Sequence, residues 1–260
     1  MMKTFGLAII VALLMSLKVE AAQYQSQNKK EFCADRKSKN FIKDLTLNSD
    51  NLMSFRNQGG IGNGGVCWWH SRFQRNALYL TIFNPSKDFP SPERAKEIIK
   101  EIRKGKKVIE IGGFRNFAEF TSAYFTDIQD ELNRWQKNDG ITKFNWVIGL
   151  AGQTAVAPEE LESKMNDLYN YVVKGNNIAY QKLQMKGVVA HAWLVVNMSK
   201  TPEGYDLEVI DSNFPRSTNV YRYTKGMINF NHYHYGEFVP YLERTKELSK
   251  IKEVVSQNCK

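Results

Sequence analysis

The sequence predicts an α+β fold with a helical first part and an antiparallel sheet in its last third. Apolar residues recur at helical spacing along most of the first two-thirds of the chain. After Gly187 the segments turn β-branched and aromatic and are separated by turn residues. Segregated helices and strands point to α+β, not to a doubly wound sheet. Length supports a single domain over 22–260: the chain has 260 residues, enough to bury an apolar core without staples.

The elements follow in order. Lys3 and the 13-residue apolar run FGLAIIVALLMSL (5–17), then Val19-Glu20-Ala21, read as a secretory signal peptide over 1–21. The run is shorter than the about 20 residues that span a bilayer, and no later run is apolar enough, so no integral membrane segment is expected in the mature chain. Residues 22–31 are a polar lead-in, and Phe32 to Phe55 is read as helical. Asn57 to Gly65 (NQGGIGNGG) holds five glycines and forms a loop. Trp69, Phe73, Ala77 and Leu80 mark one buried face of the next helix, closed by Pro85. Ser91-Pro92 starts another helix, with Ala95, Ile98, Ile99 and Ile102 inward and Gly105 at its end. Lys107 to Ile111 is a strand, Phe117 to Trp135 a helix, and Phe144 to Leu150 a further extended piece. Pro158 to Lys174 is helical. Val188 to Met198 and Tyr205 to Ile210 form a hairpin, Thr218 to Tyr223 is a third strand, and Phe238 to Val255 a closing helix.

Composition excludes little. Hydrophobic residues make up 42% and charged residues 24%, ordinary for a globular protein. The net charge of +9 allows anionic partners such as cell-envelope polymers. Basic and acidic residues are interspersed, however, and no nucleic-acid motif is present, so nucleic acid is not expected. The leader places the mature chain outside the cytoplasm, secreted or periplasmic, where disulfides persist. Of the three cysteines, Cys33 and Cys259 lie near the two mature ends and are expected to pair, leaving Cys67 free. The alternative pairs Cys67 with Cys33.

Cys67 stands where the glycine loop enters a helix. A helix N-terminus favours the thiolate, which is the nucleophilic form, and its N–H groups can serve an oxyanion. The bland alternative is a buried structural cysteine. The hairpin supplies the counter-argument. With its turn centred on Thr201, Met198 faces Gly204 and His191 faces Asp211, close enough for the carboxylate to orient an imidazole. Each residue alone has a structural reading, His191 as a core histidine and Asp211-Ser212-Asn213 as a turn cap. Together they form a base with its orienter.

Gly65-Val66-Cys67-Trp68, His191-Ala192-Trp193 and Ile210-Asp211-Ser212-Asn213 resemble the three active-site segments of papain-like cysteine peptidases. His191 follows Cys67 by 124 positions and Asp211 by 144, near the about 130–150 of the papain group. The resemblance implies a papain-like α+β fold, with a nucleophile helix packed on a half-barrel that carries His and Asp. It implies a Cys67–His191–Asp211 triad that hydrolyses peptide or isopeptide bonds of a peptide or protein substrate, without metal or cofactor. Asp in place of the more familiar Asn resembles bacterial secreted branches of the group. The family's oxyanion glutamine lies a few residues before the cysteine. Here Gln58 is nine positions away, and Asn63 is the other candidate. The 45 residues from 22 to 66 are too few for the long propeptide of papain zymogens.

Two other readings use the same residues: acyl transfer to an amine, as in transglutaminase-like enzymes, and a non-catalytic binding module on a peptidase scaffold. His70, with Arg72 and Arg75, is expected on the surface or rim of the nucleophile helix. His232 and His234 alternate along a strand, but two histidines without a third ligand do not make a metal site. Trp193 and Tyr221 are expected in the core.

Overall fold

Residues 24–141, 152–186 and 190–260 are described by a computed structural model. The expected leader and the expected extended piece over 144–150 lie outside the described residues. The fold mixes helices with a nearly closed antiparallel half-barrel.

The segment expected to be one helix from Phe32 to Phe55 is broken into α1 (Lys29–Asp35), α2 (Phe41–Leu45) and a 3₁₀ turn at Ser49–Asn51. An asparagine causes part of the break: the Asn48 side chain accepts from the Asp50 N–H and starts the 3₁₀ turn. The helix after the glycine loop, α3 (Cys67–Leu80), is buried on every side. It runs directly into β1 (Thr81–Asn84), which pairs in parallel with β2 (Ile109–Gly112). Between them lies α4 (Pro92–Lys104), with Ser91 as N-cap and Gly105 at φ 63° as C-cap, as expected. The single helix expected over 117–135 is two, α5 (Phe117–Ala123) and α6 (Phe125–Gln136), because Tyr124 leaves helical geometry at φ −112°, ψ 31°. Next come α7 (Pro158–Tyr169) and one π-helical turn to Lys174.

The half-barrel contains β3 (Ala179–Met185), β4 (Ala190–Lys200), β5 (Gly204–Asp211), β6 (Thr218–Thr224), β7 (Phe230–His232) and β8 (Gly236–Leu242), in the order β6-β5-β4-β3-β8-β7. The closing helix expected from Phe238 is shorter. Phe238 to Leu242 is the end of β8, and α8 (Thr245–Asn258) begins only after Arg244 turns the chain at φ 58°. β-branched and aromatic side chains suit the strand, and Pro240 would break a helix at that point.

The sheet buries both faces. Tyr180, Ala192, Leu194, Val196 and Ile210 join the core around α3, while Leu183, Trp193, Val195, Leu207 and Val209 join the core under α7. Trp193 is fully buried and Tyr221 half-buried.

The polar face expected to put His70, Arg72 and Arg75 at the surface is buried instead. Charge pairing makes this tolerable. Arg72 bonds Asp139 at 3.0 Å and Glu247 at 2.6 Å, and Arg75 bonds Glu247 at 2.7 Å. Burial raises the Glu247 carboxyl, but the Arg75 and Arg72 charges outweigh it and hold the group at about 2. These pairs fasten α3 to α8. The disulfide Cys33–Cys259 joins α1 to the end of α8, with Cα atoms 5.4 Å apart, as expected from the cysteine positions.

Two outcomes are expected in denaturant unfolding. Glu247→Ala takes the carboxylate partner from buried Arg75 and leaves buried Arg72 with Asp139 alone, and lowers stability by about 3 kcal/mol or more. The double variant Cys33→Ser/Cys259→Ser loses about 2–5 kcal/mol through a less constrained unfolded chain, while Cys67 stays reactive toward iodoacetamide.

Candidate active site

Backbone chemistry delivers Cys67 to its place. Gly65 has φ +87°, and a Cβ there would come within 2.6 Å of Asn57 Nδ2. At Gly60, at φ +80°, a Cβ would meet the Gly65 carbonyl oxygen. Only glycine permits so tight a fold-back. The loop is then pinned to α6: Gln136 donates to the Gly65 carbonyl at 2.9 Å and accepts from the Ile61 N–H at 2.8 Å, and Asn133 accepts from the Gly60 N–H at 3.0 Å. Cys67 is the first residue of α3, a position whose backbone N–H has no acceptor within the helix.

Two bonds seat α3 on the start of β4. Trp68 Nε1 donates to the His191 carbonyl at 3.1 Å, and Ser71 Oγ donates to that of Ala192 at 3.2 Å. The Cys67 thiol is hydrogen-bonded to the His191 side chain. His191 Nε2 is 2.7 Å from Asp211 Oδ1. Since Nε2 faces the carboxylate, Nδ1 is the ring nitrogen left for sulfur. All three residues are buried: Cys67 is 6% exposed, His191 5% and Asp211 0%. The structure thus brings Cys67, His191 and Asp211 into one hydrogen-bonded chain, and Cys67 is not part of the disulfide.

The expected hairpin register is corrected. Met198 faces Leu207, not Gly204, and Asp211 faces Trp193, not His191. The turn lies farther along than Thr201, with the Thr201 N–H donating to Gly204 O, and a β-bulge between Val195 and Asn197 shifts the pairing again. His191 reaches Asp211 diagonally, a separation that long side chains span.

Electrostatics favour a charged pair. Burial alone would lower the His191 pKa. Hydrogen bonds to Asp211 and Cys67, and the charges on both, outweigh it and raise the group to about 10. Burial likewise pushes the Asp211 carboxyl up, but His191 and the Asn213 N–H hold it below its ordinary value. That N–H donates to Asp211 Oδ1 at 2.8 Å.

Gln58 and Asn63 both lie on the exposed side of the glycine loop. The Gln58 carbonyl accepts from Gln129 at 3.0 Å, and Asn63 sits at φ 59°. Asn57, which sequence reasoning did not single out, has the closer role. Its side-chain oxygen accepts from the Val66 N–H, its Nδ2 donates to Asn213 Oδ1 at 3.2 Å, and its own N–H donates to Ser212 O at 2.7 Å. It ties the loop leading to Cys67 to the turn that carries Asp211. Its place beside a run of glycines was the available signal.

His70 donates from Nε2 to Phe55 O at 2.9 Å and is held neutral, its pKa lowered to about 4 by burial. His232 ends β7, half-buried, and His234 is exposed in the following turn, so the two do not alternate along one strand as expected. Among the described residues, no group of three or more His, Cys, Asp or Glu side chains is placed to hold a metal ion. No helix of the described residues is long and apolar enough to cross a membrane. No family model, curated protein or solved structure matches the chain.

The pKa shifts carry signs. A raised His191 stabilises the fold fully below its unfolded value of about 6.5, and that contribution is lost as pH rises through about 10. A lowered Asp211 stabilises above its unfolded value of about 3.9 and is lost as pH falls through the folded one. Urea unfolding from pH 6 to pH 10 should therefore show a steeper stability loss in the wild type than in His191→Ala.

Proposed function

We propose that this chain is a papain-like cysteine hydrolase that cleaves peptide or isopeptide bonds through an acyl-enzyme. One observation carries the reading: a thiol at the head of a helix, an imidazole and a buried carboxylate form a single chain of hydrogen bonds. A structural cysteine has no need of a base that is itself oriented by a carboxylate. The order Cys67, His191, Asp211 and the helix-on-sheet arrangement support the family resemblance.

The chemistry follows from the geometry. The Cys67 sulfur, deprotonated by His191, attacks a carbonyl carbon, and the charge that forms on oxygen is met by the Cys67 N–H. Gln58 or Asn63 is the second donor in this scheme. His191 returns the proton to the leaving amine, which departs as the C–N bond breaks and leaves a thioester. His191 then takes a proton from water, whose oxygen attacks the thioester. The carboxylic acid leaves, and the thiol regains its proton. Asp211 holds the imidazole in the tautomer these transfers need and stabilises its charged form. The leader-like start and the Cys33–Cys259 bridge support work outside the cytoplasm, where disulfides persist.

The test is a peptide library incubated with the wild-type chain and with Cys67→Ala and His191→Ala. Cleavage should fall by about 10³-fold or more in each variant. Unchanged cleavage in Cys67→Ala would sink the proposal. Incorporation of an added primary amine into the acyl product, in place of hydrolysis, would make the enzyme a transferase on the same triad.

A further inference from the structure

The carboxylate of Asp211 is gripped on both oxygens. Oδ1 faces His191 Nε2 and the Asn213 N–H. Oδ2 accepts from the Tyr235 hydroxyl at 3.3 Å. Tyr235 comes from a different part of the sheet, the turn at 233–235 joining β7 to β8. Gly236, at φ +70°, pairs with His232 to close that turn. A glycine of left-handed conformation is what a three-residue hairpin needs. The Tyr235 ring stacks on His232, with centroids 4.2 Å apart and planes 14° from parallel. The His191 ring also lies beside it, 5.2 Å between centroids and tilted by 43°. Tyr221 from β6 sets its own hydroxyl 3.4 Å from that of Tyr235.

We infer that Tyr235 is a positioning residue for the triad: its hydroxyl fixes the plane of the Asp211 carboxylate, and its ring keeps water from the His191–Asp211 bond. The assignment rests on the triad reading above. A carboxylate held by one oxygen can rotate about its last torsion, and the imidazole swings with it. Held by both, it leaves the ring one orientation, with Nδ1 toward sulfur. Misplacement of a reacting group by about 1 Å can cost about 10²-fold in rate, so an orienter that is itself oriented matters to the chemistry. Water at the bond would compete for the same carboxylate oxygen and raise the local dielectric. Burial, and then the charge on Asp211, push the Tyr235 phenol far above its ordinary value. It therefore remains a donor across the working pH range.

The probe is iodoacetamide on the full, disulfide-bonded chain, with the alkylation rate of Cys67 read at pH 5 to pH 9. Tyr235→Phe keeps the ring and removes the hydroxyl. Its alkylation should slow by about 3- to 10-fold, the value of one hydrogen bond expressed as a rate. Tyr235→Leu removes the ring as well and should be slower still. In an Asp211→Asn background, Tyr235→Phe should cost nothing further, because the hydroxyl acts through the carboxylate. An equal loss in both backgrounds, or a wild-type rate in Tyr235→Phe, overturns the assignment. His191→Ala, run alongside, separates the two claims. Wild-type alkylation there defeats the triad reading itself, whereas slowed alkylation there with a normal Tyr235→Phe defeats only the role of Tyr235.

Discussion

A fully buried carboxylate must be compensated, and the way Asp211 is compensated organises the site. Desolvating an isolated charge costs far more than a single neutral hydrogen bond returns. Asp211 therefore needs His191, the Asn213 N–H and the Tyr235 hydroxyl, which come from β4, the turn after β5 and the β7–β8 turn. Its demand for partners draws these segments together. The turn after β5 is joined in addition by Asn57, which carries the glycine loop with it. The loop leading to Cys67 and the turn that follows Asp211 are thus parts of one hydrogen-bonded unit.

The same logic governs α3. A helix buried on every side normally reads as apolar all round. This one carries His70, Arg72, Gln74, Arg75 and Asn76 into the interior. Each has a partner: Phe55 O for His70, Glu247 for both arginines, the Met53 N–H for Gln74 and the Ile102 carbonyl for Asn76. Such a network is stable only in one arrangement, because each partial solution strands a buried charge. It fixes the rotation and axial position of α3 more tightly than a greasy interface would. Since Cys67 is the first residue of that helix, the direction of the sulfur is set by contacts at the helix's other turns.

These networks also explain what the sequence concealed. Regular, amphipathic segments such as α4, with its Ser91-Pro92 start and Gly105 stop, were legible because their surface face is polar and their core face apolar. β3 was not, because its residues at 181 and 182 are Gln and Lys yet lie in the interior: Gln181 accepts from Trp193 Nε1 at 2.9 Å, and Lys182 pairs with Glu243 at 3.2 Å over the Trp68 ring. A polar residue that is buried and satisfied looks like a surface residue in one dimension. His70, Arg72 and Arg75 misled for that reason. Cys67, His191 and Asp211 could be singled out because each stands in a legible local setting, a glycine loop before a cysteine and strands that end in a short polar turn. Tyr235 could not, because its bond to Asp211 is a contact across the fold, and Asn57 had only its place beside the glycines to mark it.

The hairpin carries the most instructive departure. Next to the turn, β4 and β5 pair so that Met198 faces Leu207 and Asn197 faces Glu208. Continued without interruption, that register would set Asp211 opposite Leu194, whose side chain joins the core around α3. His191, an odd number of residues from Leu194, would then point to the other face of the sheet, since successive side chains alternate. One extra residue at Val196 prevents this. Beyond it Val195 faces Val209, and Trp193 faces Asp211. Trp193 and Val195 are then on the same face as Leu207 and Val209, and His191, two residues before Trp193, shares that face. A bulge costs a ladder bond and kinks the strand. Here it restores His191 and Asp211 to a common face. The expected register reached the correct pair because it differed from the true one by an even number of residues.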